Sequence, residues 1–214
     1  MMNILVTGGS GFVGGYVFRY FQEQGYSVKN FDLYGDESDT NYIKGSILDS
    51  QAVIKTIVEN DISIVFHFAG FSNINKVKDS PRECIDLNIL GTTNILEASR
   101  LKGDTSVILA SSVYVHSKHG HLYTTSKAAA ERILNNYSSL YNINSNIIRL
   151  GTVYGEMSRH EDVISIFAKK VTNKKSISIS GDGTQTRNFI HGEDVAKACE
   201  SIIINKVFGE VLIV

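Results

Sequence analysis

The chain alternates short apolar runs with longer stretches of helical spacing. Asn3–Thr7 carries Ile4, Leu5 and Val6 in succession with glycines right after, the pattern of a strand buried on both faces. Phe12–Gln24 predicts a helix ended by Gly25. Ser27–Phe31 and Ile62–Phe68 predict two more strands. Between them Asp49 can cap a helix over Ser50–Glu59, with Val53, Ile54, Ile57 and Val58 on one face. A long helix is expected from Ser80 to Lys102. Ser80 sits at the N-cap, Pro81 at the first helical position and Glu83 at the third, a capping box with a favoured proline, and Gly103 is placed to stop it. Thr105–Ala110 then predicts a strand, Tyr123–Tyr141 a helix and Ser145–Leu150 a strand. Ile177–Ile179 is a short strand candidate, Glu193–Asn205 a helix and Glu210–Val214 a last strand.

Strand–helix alternation over this length implies right-handed βαβ units and a parallel sheet. Asp36–Thr40 is a polar loop, and the four lysines of Lys169–Lys175 fit a solvated helix end. Composition refines this picture only by exclusion. Hydrophobic residues make up 43%, charged residues 20%, and the net charge is −1, so the basic excess of a nucleic-acid binder is missing. Cys84 and Cys199 lie far apart, against a disulfide framework or zinc site, and a reduced, cytoplasmic setting is expected with no metal. The N-terminus lacks the pattern of a signal peptide, and no apolar run suits a membrane span.

Gly8, Gly11 and Gly14 form G-x-x-G-x-x-G between the first strand and the first helix. Such a turn needs backbone conformations closed to other residues, and a pyrophosphate needs close backbone approach. The helix start then offers free N–H groups and a positive dipole end to phosphates. Asp32 follows the second strand, where a carboxylate can accept hydrogen bonds from ribose hydroxyls and repel a 2′-phosphate. NAD is therefore expected rather than NADP.

Tyr123 and Lys127 are four apart on a predicted helix, so phenol and ammonium share a face. A free phenol, with a pKa of ~10, is a poor base at neutral pH, and a nearby cation favours its phenolate. Ser111 and Ser112 lie just past a predicted strand end, where ligands of open α/β sheets bind. A serine hydroxyl there can hold a substrate oxygen while the tyrosine takes its proton.

Together these segments resemble the extended short-chain dehydrogenase/reductase family, the NAD-dependent epimerase/dehydratase group of nucleotide-sugar enzymes. The resemblance rests on Thr7 to Gly14, His67-Phe68-Ala69-Gly70, Asn88-Ile89-Leu90-Gly91-Thr92, Ser111-Ser112, Tyr123 to Lys127, Arg149 through Val153-Tyr154-Gly155, and Gly181-Asp182-Gly183 through Arg187 to His191. These occur in the family's order and cover nearly all of the chain.

The resemblance implies a Rossmann-like, doubly wound α/β fold over residues 1–150, with residues 151–214 a short, reduced substrate-binding region interleaved with its last elements. It makes Tyr123 the catalytic base, Lys127 the holder of the nicotinamide ribose, Ser112 (with Ser111 as second choice) the catalytic hydroxyl, and Asn88 a support. Cofactor contacts are expected at Gly8, Gly11, Phe12, Val13, Gly14, Asp32, Ser46, Ile47, Phe68, Ala69, Gly70 and Leu150. Substrate contacts are expected at Ser112, Thr152 and Arg187, the last meeting a diphosphate.

Departures from the family pattern sharpen the expectation. Ser46 stands where an aspartate often meets adenine, and Leu150-Gly151-Thr152 replaces the usual residues before Val-Tyr-Gly. Val113 occupies a position acidic in 4,6-dehydratases, which disfavours water elimination. The chain ends at Val214, at the strand that leads into the family's small domain, so the lid over the sugar is expected to be short, missing or supplied by a partner. A sugar-nucleotide epimerase is the first expectation. A 4-keto-sugar reductase and a silent NAD-binding protein are the alternatives, and the family's paired long helices imply a homodimer.

Overall fold

The computed structural model describes residues 2–117, 121–158, 162–179 and 181–214. Seven strands form one parallel sheet: β1 (Asn3–Thr7), β2 (Ser27–Asp32), β3 (Tyr42–Lys44), β4 (Ile64–His67), β5 (Ser106–Ser112), β6 (Ser145–Leu150) and β9 (Val211–Ile213), in the order β3-β2-β1-β4-β5-β6-β9. The strand order reverses between β1 and β4, which leaves a crevice at their carboxyl ends. Two further strands, β7 (Thr152–Tyr154) and β8 (Phe189–His191), pair in parallel as a separate small sheet.

Helices cover both faces. Those before β6 are α1 (Phe12–Glu23), α2 (Ser50–Glu59), α3 (Pro81–Ile85), α4 (Thr92–Lys102) and α5 (His121–Tyr141), and α6 (Val163–Thr172) and α7 (Gly192–Asn205) come later. One core packs Leu5, Phe31, Val65, Leu109 and Ile147 of the sheet against Ile57, Leu96 and Leu134 of α2, α4 and α5. The other packs Ile4, Val6, Phe66, Ile108 and Ile148 against Val17 and Phe21 of α1 and Cys199 and Ile202 of α7. Residues on alternating positions of β1 thus serve opposite cores, as a strand buried on both faces requires. The segment after residue 150 returns α7 to α1 and adds β9 beside β6, so it is woven into the main unit.

The doubly wound parallel sheet expected from the sequence is borne out. Asp49 caps α2, accepting from the N–H groups of Gln51 and Ala52 at 3.1 and 3.0 Å. Three local expectations are corrected. The Ser80 side chain makes no cap hydrogen bond. The helix from Ser80 to Lys102 is not uniform: a π-helical segment, Asp86–Gly91, separates α3 from α4. Ile177–Ile179 forms no strand, and the short strands between β6 and α7 are β7 and β8. Among the described residues no helix is long and apolar enough to cross a membrane.

Candidate active site

The glycine turn leaves β1 with Gly8 at φ +74°, a left-handed conformation that favours glycine. A Cβ on Gly8 would lie 2.6 Å from the backbone nitrogen of Ala69, and one on Gly14 would lie 2.2 Å from the Gly8 carbonyl oxygen. Turn, helix start and the β4 end therefore interlock with no room for side chains. Gly11 is the N-cap of α1, and no side chain caps that helix. Its first N–H groups are left for an anion, with the positive end of the helix dipole behind them. Asp32 stands beside the turn, its carboxylate accepting from the N–H groups of Ser10 at 3.1 Å and Tyr34 at 3.3 Å. Each carboxylate oxygen keeps a second lone pair for a hydroxyl. These residues fit a dinucleotide.

Phe68, Ala69 and Gly70 continue from β4 along the same crevice. The Ala69 N–H donates to the Thr7 hydroxyl at 3.3 Å. Gly70 faces the second half of the site: a Cβ there would lie 2.6 Å from Asn88 Oδ1 and 3.8 Å from Lys127 Nζ. Phe12 and Val13 sit in the first turn of α1, half-buried. The Ser46 hydroxyl oxygen accepts from the Leu48 N–H at 3.1 Å, which leaves its O–H to donate. Ile47 is a core residue, 5% exposed, and Leu150 packs beneath the sheet end.

The expected chemical group assembles on β5 and α5. Tyr123 is 7% exposed and Ser112 6%. Burial pushes the phenol's pKa above its ordinary value, and a hydrogen bond with the Ser112 hydroxyl opposes that rise. Lys127 lies one turn on, buried, and its ammonium donates to the Ala110 carbonyl at 3.0 Å. Burial lowers its pKa to about 8, against upward pulls from Cys84 and Glu131. Asn88 lies in the π-helical segment. Its Oδ1 accepts from the Phe71 N–H at 2.8 Å, and its Nδ2 donates to the Phe71 carbonyl at 3.2 Å and to Ser126 Oγ at 2.9 Å. The widened turn thereby clamps the loop after β4 to the helix of Tyr123.

The two serines diverge. Because side chains alternate along a strand, Ser111 points away from Tyr123 and donates to Glu131 Oε1 at 2.6 Å. It is not part of the Tyr123 cluster, which leaves Ser112 as the hydroxyl of the site. Glu131 also receives Arg149 through two N–H groups, at 3.0 and 2.6 Å, and Arg149 Nη1 lies 2.9 Å from His116 Nε2. Sequence reasoning missed Glu131, although its spacing from Lys127 repeats the i,i+4 step on the same face.

Arg187 is exposed and donates to the Tyr114 hydroxyl at 2.7 Å. The Tyr114 N–H in turn donates to Ser112 Oγ at 3.2 Å, so one residue, Tyr114, contacts both the serine and the guanidinium through opposite ends. Tyr114, two residues beyond Ser112, was the unforeseen partner. Thr152 belongs to β7, its N–H bonded to the Asn188 carbonyl at 3.0 Å, next to Arg187 in the chain.

A dinucleotide cradle beside a serine, a tyrosine and a lysine at the switch point of a parallel sheet defines a short-chain dehydrogenase/reductase of the extended type. The chain belongs to the NAD-dependent epimerase/dehydratase family, whose model matches residues 4–212. It is 34% identical to a putative UDP-glucose 4-epimerase of Methanocaldococcus jannaschii, over 91% of this chain and 71% of that one. Its fold is similar to the UDP-glucose 4-epimerase of Thermotoga maritima crystallised with UDP-glucose, with TM-score 0.87, 25% identity, and coverage of 100% of this chain and 76% of that one. It is likewise similar to MoeE5 in complex with UDP-glucose and NAD, with TM-score 0.85, 26% identity, and coverage of 99% and 75%. The expected family, enzyme class and cofactor are borne out.

Proposed function

We propose that this chain is an NAD-dependent epimerase that inverts a carbon in the sugar of a nucleoside diphosphate sugar. The observation that carries this is the convergence of Ser112, Tyr123 and Lys127 in one buried cluster at the carboxyl end of β5. Relatives named as UDP-glucose 4-epimerases support the substrate class.

When bound, NAD supplies the hydride acceptor and donor, and a positive ring when oxidised. The glycine turn and α1 hold its phosphates, Asp32 its adenosine ribose, and Lys127 its other ribose. Ser112 holds the sugar hydroxyl by a hydrogen bond. Tyr123 takes the proton from that oxygen and later returns it, with the Lys127 cation lowering the cost of the phenolate. Arg187 meets the diphosphate with a planar pair of N–H groups. Asp32 favours NAD, which supports an epimerase with retained cofactor over a reductase fed by NADPH. Val113 supplies no acid for water elimination. The protein works in the cytoplasm as a homodimer paired through α4 and α5, with residues 151–214 contributing to the sugar site.

The test is to incubate purified protein with UDP-glucose, UDP-galactose and UDP-glucuronic acid without added cofactor and to follow the sugars by NMR. Interconversion of 4-epimers, abolished in Tyr123→Phe with NAD still bound, is the expected result. NAD binding without turnover of any sugar nucleotide overturns the enzymatic reading, and sedimentation as a monomer overturns the dimer.

A further inference from the structure

His67, the last residue of β4, is buried, and both of its ring nitrogens are engaged. Nδ1 lies 2.7 Å from the Thr7 hydroxyl and Nε2 lies 3.1 Å from the Thr92 hydroxyl. The directions of these bonds follow from the neighbours. Thr92 spends its single hydroxyl hydrogen on the Asn88 carbonyl at 2.7 Å, so it accepts from the ring, and Nε2 carries the proton. Nδ1 is then a bare acceptor for the Thr7 hydroxyl, whose oxygen accepts the Ala69 N–H. One directed chain therefore runs from Ala69 through Thr7, His67 and Thr92 to Asn88. Its two ends touch the two halves of the site. Thr7 precedes Gly8, and Ala69 is the atom group against which Gly8 is packed. Asn88 holds Ser126, whose hydroxyl donates to the Tyr123 carbonyl at 2.9 Å.

We propose that His67 is a positioning residue that couples the dinucleotide turn at Gly8 to Asn88 and, through Ser126, to the catalytic face of α5. The inference rests on the proposed reading of this crevice as the NAD site. The neutral imidazole is the rigid centre of the chain, because a single proton, fixed on one nitrogen, orients hydroxyls on two elements that are not hydrogen-bonded to each other. Burial keeps the ring neutral, with its pKa lowered to about 3 and the Lys127 charge acting in the same sense. Breaking the chain at either end removes one of two links between turn and asparagine and leaves the Phe71 clamp as the other.

Thr7→Val and Thr92→Val each remove one hydroxyl at nearly constant shape, and Thr92 is on the Asn88 side of the ring, away from the glycine turn. Calorimetric NAD titration of the wild type, both variants and the double variant is the experiment. Thr92→Val is expected to weaken NAD binding about fivefold, the size of one neutral hydrogen bond. Thr92→Ser is expected to restore it, and the double variant to lose less than the product of the two single losses. In the wild type, nitrogen-15 spectra of histidine-labelled protein, assigned with His67→Gln, are expected to show the Nε2-protonated tautomer. An unchanged NAD affinity in Thr92→Val, multiplicative losses in the double variant, or an Nδ1-protonated ring overturns the coupling alone. A wild-type protein that binds no NAD overturns both the cofactor site and the coupling.

Discussion

The Lys127 ammonium donates to the carbonyl of Ala110, two residues before Ser112 on β5. The bond ties a side chain of the helix that carries Tyr123 to the strand that carries Ser112. It also gives a buried cation a hydrogen-bond acceptor.

That cation is costly, and its cost depends on pH. Its folded pKa of about 8 lies below the ordinary lysine value of 10.5. Between those values the unfolded chain binds a proton that the folded chain has released. Stability contributed by this group therefore rises with pH across that window, by at most about 1.4 kcal/mol per pH unit. Urea unfolding of the cofactor-free protein at pH 7.5 and 9.5 is expected to show this gain relative to Lys127→Met, in which it vanishes.

His67 gives the opposite end of the pH scale. Its folded pKa, about 3, lies below the ordinary 6.5. Above pH 6.5 neither state binds the proton. Between pH 6.5 and 3 the unfolded chain does, so stability falls as the solution is acidified. The expected result is a steeper acid loss of unfolding free energy in the wild type than in His67→Leu, approaching about 1.4 kcal/mol per pH unit.

Glu131 and Arg149 form a salt bridge at 2.6 Å with side-chain exposures of 8% and 18%. Removing one charge strands the other away from water. Glu131→Gln is expected to destabilise the fold by about 3 kcal/mol, measured by denaturant unfolding. Glu131→Leu with Arg149→Met together should recover much of that loss, because no uncompensated charge remains.

Gly14→Ala tests the cradle. Its Cβ would stand 2.2 Å from a backbone oxygen that no rotamer change can move. Overpacking of this kind costs on the order of 1–3 kcal/mol, so NAD affinity measured by calorimetry is expected to fall about tenfold or more.

Much of this architecture was legible in the chain because burial imposes strong patterns. β1, β4, β5 and β6 read from their apolar residues since both their faces are covered, and α2 reads from its stripe and Asp49. Of the elements that escaped, α6 reads only as a helix end at its lysines, and three strands are held by pairing rather than by periodicity. β3, β7 and β8 are three residues each, too short to show alternation, and β7 pairs with a strand distant in sequence. Ile177–Ile179 has strand-like residues but no partner strand. The site residues were found where spacing carries geometry, as with Tyr123 and Lys127. Choosing Ser112 over Ser111 needed the phase of β5 at its end, and Glu131, Tyr114 and the His67 chain emerge only once separate elements are brought together.

The π-helical segment Asp86–Gly91 has a consequence for how this chain tolerates changes in length. A residue removed there would let ordinary helical bonding resume, but would swing everything on one side by about 100° relative to the other. Cys84 and Asn88 would leave the side they share with Ser126, while Thr92 to Lys102 stayed packed on the sheet. An excision elsewhere on a surface helix is a small local matter. At this wide turn it disassembles the crevice while leaving the sheet intact, so a shortened variant should fold, bind poorly and turn nothing over.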